Sequence, residues 1–434
     1  MEELLHYVWK HKLFPLVPLT TTDGKAVEVV DVGLHNRNAG PDFFNAKVKI
    51  GGVLWVGNVE IHVKASDWYA HGHDHDPRYD NVVLHVVAQA DTLVRTHRGD
   101  TPPQVLLQVP QHVQQHYQEL LTTAEYPPCY RIIPTLPRLT VSAWLSALET
   151  ERLEQKTEAI LQRVQACGGA WEDAYFVTLA RNYGFGINGD AFELWARALP
   201  LQAVAHHRDD LFQVEAFFLG QAGLLDLQTV PERTREAAAA DVYFQKLRAE
   251  YQYLSHKFRL QPIDGHTWRF LRLRPQNFPT VRIAQLARLY HERRTSLSQL
   301  TDCTTVEQVE DLLSTHVTPY WETHYLFGAE SKRNAKHLSA ASLRLLVINT
   351  AIPILFAYGR HKGDEKLCDR AFSFLESLRA EQNHIVAMWR KVGLLVRSAG
   401  DSQALIQLKR AYCDRKECLR CRFGYAYLKS NSEG

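Results

Sequence analysis

No stretch of this 434-residue sequence offers an uninterrupted apolar run of the length that a membrane span needs. The opening residues, Met1 to Phe14, are too charged and too aromatic for a secretory leader. Charge of one sign is also missing. Fifty Lys and Arg face 48 Asp and Glu, a formal +2, so bulk electrostatics argues neither for nor against a polyanionic partner. Nucleic-acid binding would therefore rest on local patches. Cysteine is sparse and odd in number at seven, which speaks against a disulfide framework and for a reducing compartment. No clean repeat period runs along the chain, which excludes a solenoid. These absences lead us to expect a cytoplasmic protein without a membrane attachment. A hydrophobic content of 45% suffices for a large core, expected in two domains. Oligomeric state is not fixed by any of this.

What is present centres on Asn38 to Val87. Two apolar-alternating runs flank Gly51-Gly52, a hairpin turn signal. In the second run Val59, Ile61 and Val63 share one face, and Glu60, His62 and Lys64 share the other. Packing alone does not select carboxylate, imidazole and amine for one strand face. Asp42 follows Pro41 where the preceding run begins, and the hairpin brings it near Glu60. Two carboxylates and a nitrogen base on adjacent strands suit a divalent cation and an activated water. A polar segment, Ser66 to Asn81, then places His71, His73 and His75 at alternating positions. It is either a solvated His-rich turn or a source of imidazole ligands. A third strand, Val82 to Val87, contains His85, which is a hydrogen-bonded core residue or a second imidazole facing the same cleft as His62.

The order helix, acidic hairpin, Glu-x-base strand, helix, strand resembles the core of the PD-(D/E)XK nuclease superfamily. Pro41-Asp42 and Glu60-Ile61-His62 carry the resemblance. His62 stands where that superfamily usually has lysine, and Lys64 is the alternative base on the same face. The resemblance implies Mg²⁺ or Mn²⁺ at Asp42 and Glu60 and hydrolysis of DNA or RNA; from the His-rich segment itself, one imidazole, His71 or His73, is expected beside the two carboxylates. Over nearly its full length the chain is also similar to an uncharacterised bacterial family, the domain of unknown function 2851. The stretches GPDFFNAKVKI, VGNVEIHVKASDWYAHGHDHDPRYDNVVLHVV, RLRPQNFPTVRIAQLA and DSQALIQLKRAYCDRKECLRC carry that likeness. It implies no activity.

Two short strands are expected between Leu93 and Val109 and a helix over Gln111 to Leu121, before Tyr126-Pro127-Pro128 breaks the chain. The expected fold is therefore α+β. An N-terminal mixed sheet with flanking helices (restriction-endonuclease-like) over residues 1–135 precedes an irregular all-α domain over 136–434. Within the latter, Arg272, Arg274 and Arg282 interleave with aromatic and aliphatic residues. They form either a phosphate-contacting ridge or a connector whose guanidinium groups serve internal acceptors. At the C-terminus Cys413, Cys418 and Cys421 form C-x4-C-x2-C, part of a Zn²⁺ or iron–sulfur site. Cys129, Cys368 and His384 are candidates for its missing ligand. One upstream and three C-terminal cysteines also resemble the cluster layout of some members of the nuclease superfamily.

Three functions compete on these residues. The first is a metal-dependent nuclease using Asp42, Glu60, His62 or Lys64. The second is a non-catalytic nucleic-acid- or protein-binding module on a nuclease-like sheet, which the missing lysine favours. The third is a zinc metallohydrolase built on His62, His71, His73 and Asp67. Convergence of Asp42 with Glu60, or of the imidazoles, discriminates among them.

Overall fold

A computed structural model describes residues 1–14, 18–36 and 38–430. The chain divides into two units, 1–141 with 387–394 and 408–434, and 142–386 with 395–407. The fold is α+β, with a mixed sheet in the first unit and a mostly helical second unit. The division differs from the sequence expectation at the C-terminus. The cysteine-rich tail joins the sheet-containing unit, because its side chains bond to Glu119, Leu121 and Tyr126.

In the first unit, helix α1 (Glu2–Lys10) buries Leu4, Leu5, Tyr7, Val8 and Trp9, the apolar stripe its spacing predicts, and packs on the sheet. Strands β1 (Leu19–Thr20), β2 (Ala26–Asp31), β3 (Leu34–His35), β4 (Phe43–Ile50) and β5 (Val53–Lys64) come next. The short helix α2 (Asp67–Ala70), β6 (Val82–Gln89), β7 (Gln104–Leu106) and helix α3 (Gln111–Thr122) complete the series. Sheet order is β1-β2-β4-β5-β6-β7, with β3 also on β4. Pairing is antiparallel through β5, then parallel for β5–β6 and β6–β7. An antiparallel bridge from Thr21 to Val105 brings the last strand back to the first, so the sheet curls almost into a barrel. Gly51 and Gly52 make the β4–β5 turn with φ of 58° and 86°, a region that L side chains rarely adopt. Of the two strands expected between Leu93 and Val109, one forms.

Two irregularities bracket β5 just before Glu60. On one side β4 bulges between Phe43 and Ala46, with Asn45 at φ 56°, which Asn tolerates better than most residues. On the other, the β5–β6 register shifts between Asn58 and Val59. Bulges of this kind re-aim side chains, and here the strand beyond them buries four residues in a row, Val59 to His62.

The second unit packs helices such as Trp171–Tyr183, Leu211–Gln221, Val242–Phe258 and Pro279–His291 around one large core. Its segment Ala340–Lys362 is, by length and a mean hydropathy of 1.8, apolar enough to cross a membrane, contrary to the sequence expectation. It lies 61% buried inside the structure, as a core helix does. Its middle, Val347–Ala351, widens into a π turn ahead of Pro353, which cannot donate a helix hydrogen bond. Lys156 Nζ donates to Ile348 O at 3.3 Å and Asn182 Nδ2 to Asn349 O at 3.0 Å, satisfying carbonyls there.

Candidate metal centre

Asp42 and Glu60 converge as the hairpin predicts, and the backbone fixes both. Glu60 Oε2 accepts from Asp42 N at 3.1 Å, and Asp42 Oδ2 accepts from Ile61 N at 2.9 Å. Each carboxylate is thus tied to the other's strand. His6, from α1, places Nε2 3.3 Å from Asp42 Oδ2. Glu60 is only 4% exposed. Burial, and next the charge of Asp42, push its carboxyl up to about 9. Burial works against charge on His6, yet the neighbouring Asp42 outweighs it and the imidazole is raised overall.

Imidazoles crowd the other side of Glu60. His73 Nε2 lies 3.1 Å from Glu60 Oε1, and His62 Nε2 lies 3.6 Å from it. His62 Nε2 is in turn 3.2 Å from His71 Nδ1. One ring nitrogen from each of His62, His71 and His73 falls within 4.8 Å of the others. A tetrahedral ion with ligand bonds near 2.1 Å holds its donors roughly 3.4 Å apart, so these separations fit a single ion. The buried His73 Nε2 has no properly directed hydrogen-bond partner. Native folds seldom leave such an atom unsatisfied, and a cation between it and Glu60 would satisfy it. Burial also keeps the rings neutral, as ligation requires. His62 is pulled down to about 2 and His85 to about 4, and His73 is lowered as well.

The His loop is rigidly built. Trp68, fully buried, donates Nε1–H to Arg95 O at 2.9 Å. Ser66 is held by both oxygens of Asp91, at 2.9 and 2.7 Å. Gly72 turns the chain at φ 73°, and Tyr79 stacks on His73 with ring centroids 3.8 Å apart. His73 is therefore buried, whereas His71 stays exposed and opens the cluster to solvent.

Behind the cluster, His62 Nδ1 meets His85 Nε2 at 2.9 Å, and His85 Nδ1 lies 3.4 Å from Gln104 Nε2, which donates to Thr92 O at 3.0 Å. Gln104 sets the direction of this chain. With its amide nitrogen on Thr92, His85 donates to His62 Nδ1, and neutral His62 carries its hydrogen on Nε2, facing His71 and Glu60. Turning the amide over reverses the chain and frees the Nε2 lone pair. His73 is thus the donor open at once; Glu60 joins when an ion displaces its proton, and reversal releases His62 and His71 from their mutual hydrogen bond.

The remaining sequence candidates lie elsewhere. Lys64, at the end of β5, is exposed; its backbone N–H donates to Asp67 Oδ2 at 2.9 Å, which occupies Asp67 in a turn. His75 is 86% exposed and pairs with Asp74. Arg272 and Arg274 are exposed. Arg282 is not: it is 4% exposed, donates to Gln285 Oε1 at 2.8 Å and Asn277 Oδ1 at 2.6 Å, and lies over the Phe185 ring. Its helix is buried along most of its length, so the ridge expected of the three arginines loses one member. Sequence reasoning missed His6, read only as part of a packing helix. Nothing in the local sequence signals a role for it; tertiary packing supplies one.

A cavity of about 360 Å³ adjoins His6, lined also by Tyr7, Lys10, His35, Asn36 and Arg420. Lys10 and Arg420 give it cationic walls, opposed by Glu3 and Glu417.

Comparison with known proteins adds one match. The sequence model of the family described as "Protein of unknown function (DUF2851)" matches residues 2–384. No curated protein and no solved structure matches the chain.

Proposed function

The chain belongs to the DUF2851 family, and from its site we propose a metal-dependent hydrolase that cleaves phosphodiester bonds in DNA or RNA. The observation that carries this reading is the cluster of His62, His71 and His73, one ring nitrogen from each within 4.8 Å of the others, with Glu60 Oε1 beside it, 3.1 Å from His73 and 3.6 Å from His62. A donor set this rich in imidazole favours Mn²⁺ or Zn²⁺ over Mg²⁺, which prefers oxygen. A bound ion would supply Lewis acidity and a water acidic enough to attack near neutral pH. The chain's own groups divide the other tasks. Asp42 raises the proton affinity of His6 at the cavity edge, which places that imidazole to donate to a departing oxygen, and Lys10 and Arg420 attract the substrate's anionic charge. The order α1, antiparallel β2–β4–β5, crossover through α2, then parallel β6 supports a restriction-endonuclease-like core. Phosphodiester chemistry is inferred from that likeness.

A second reading, a zinc hydrolase of some other substrate, is favoured by the clustered imidazoles alone and dispenses with Asp42. One assay separates the two. Protein loaded with Mn²⁺ or Zn²⁺ is incubated with single- and double-stranded DNA and RNA, beside Glu60→Gln, His73→Ala and Asp42→Asn. Cleavage lost in all three variants is the expected result. A loaded wild type inert on every nucleic acid but active on a small ester selects the second reading. Full cleavage by Glu60→Gln or His73→Ala would overturn the site itself.

A further inference from the structure

Four of the seven cysteines, far apart in sequence, belong to the first unit, on two segments that side-chain hydrogen bonds join. Cys413, Cys418 and Cys421 lie on the terminal segment, and Cys129 lies on the loop after α3. Cys129, Cys418 and Cys421 are buried. Three hydrogen bonds fasten loop to tail: Tyr126 Oη to Asp414 Oδ1 at 2.9 Å, Lys416 Nζ to Leu121 O at 2.9 Å and Tyr427 Oη to Glu119 Oε2 at 2.6 Å. Within the tail, Cys421 N donates to Cys418 O at 3.2 Å, and Gly424 presses so close to Cys418 that a Cβ there would sit 2.1 Å from its carbonyl oxygen. The segment is folded tightly around the thiols.

All six pairs among the four sulfurs are within electrostatic reach. Beyond the effect of burial, Cys129 feels Cys421, Cys413 and Cys418; Cys413 feels Cys421 and Cys418; Cys418 feels Cys421. Their spacing is nevertheless too wide for one ion. Zinc bonded to sulfur at about 2.3 Å would hold its thiolates roughly 3.8 Å apart. Among the described residues, the group of potential ligands found within 4.8 Å of one another is the His triad, and no three thiols meet that limit. A polynuclear centre distributes its four cysteines over different irons and needs the wider spacing, and C-x4-C-x2-C is a spacing such centres use. Lys416 and the neighbouring Arg415, Arg420 and Arg422 supply positive charge beside what would become four thiolates.

We propose that Cys129, Cys413, Cys418 and Cys421 bind an iron–sulfur cluster that fastens the C-terminal tail to the loop after α3. Glu417, Leu419 and Arg420, between these ligands, line the cavity beside His6, so the cluster also fixes one wall of that cavity. The inference is independent of the metal centre at Glu60.

The test is anaerobic purification of the full chain, followed by assay of iron, acid-labile sulfide and zinc, with visible absorption spectra. Wild-type protein is expected to carry iron and sulfide in comparable amounts with broad visible absorption. Cys303→Ser should retain both, and Cys129→Ser, checked for folding by circular dichroism, should lose them. Zinc without sulfide in wild-type protein would overturn the proposal, as would protein that holds neither iron nor sulfide after anaerobic reconstitution with ferrous iron and sulfide. Because wild-type content decides the matter, a misfolded variant does not blunt the test. Iron bound equally well by a folded Cys129→Ser would remove Cys129 from the ligand set.

Discussion

Replacing Glu215 by Gln should stabilise the protein at neutral pH and leave it unchanged in acid. Glu215 lies in the second unit on helix Leu211–Gln221, fully buried. Its carboxylate accepts hydrogen bonds from Tyr243 Oη and, at 3.0 Å, from Thr318 Oγ1. Burial outweighs these donors and raises the carboxyl from 4.5 to about 7. Below pH 4.5 both the folded and unfolded states hold the proton, and the group has no effect. As pH rises towards 7 the unfolded chain releases it and the folded chain does not, so stability falls across that window and is flat above it. The loss is about 3 kcal/mol, since each tenfold change in proton affinity is worth about 1.4 kcal/mol. Gln keeps the shape, has no proton to lose, and can serve both hydroxyls, which donate or accept. Thermal unfolding from pH 4 to 9 should show equal Tm values in acid, and a variant more stable by several degrees above pH 7. A difference that stays constant with pH, or that favours the wild type as pH rises, would refute the reasoning.

Other perturbations have equally definite outcomes. Trp68→Ala removes a fully buried ring and its hydrogen bond to Arg95 beneath the His loop, and should destabilise the first unit by about 3–5 kcal/mol, seen as a lower denaturant midpoint. Gly57→Ala would place a methyl 2.3 Å from the Val83 side chain at Cγ1 and 2.7 Å from the backbone oxygen of Asn81. It should cost about 1–3 kcal/mol, and an unchanged midpoint would contradict the close approach of β5 and β6. Arg282→Ala should destabilise the second unit without altering the salt dependence of any nucleic-acid binding, because that guanidinium already serves Asn277 and Gln285. A reduced salt slope in a folded Arg282→Ala would restore it to a phosphate-contacting ridge.

Much of the first unit is legible in the sequence where local rules and tertiary structure agree. Gly51-Gly52 marks the hairpin, alternation marks β4 and β5, and the two together place Asp42 beside Glu60. His62 and His85 share a cleft, as alternation on neighbouring strands allows. The rest depends on contacts that no local pattern encodes. His6 meets Asp42 because α1 docks on the sheet through the opposite residues of the same helix. Thr21 meets Val105 because the sheet's twist accumulates over several strands. Arg282 reads as surface by residue type, yet its helix is buried almost throughout. The cysteine tail belongs to the sheet unit through hydrogen bonds spanning nearly 300 residues, such as Tyr126 to Asp414. A long apolar stretch, Ala340–Lys362, becomes a core helix because the second unit covers it.

The central claim is a single-ion centre formed by Glu60 and the His loop. Calorimetric titration of metal-free protein with Mn²⁺ and Zn²⁺ tests it most directly, with His73→Ala and His75→Ala alongside, so that the site at the His loop is read from its dependence on His73. One tight site per chain is expected, which His73→Ala abolishes and His75→Ala, changing an exposed ring outside the cluster, leaves intact. Equal binding by His73→Ala and wild type, or no binding by either, would contradict it.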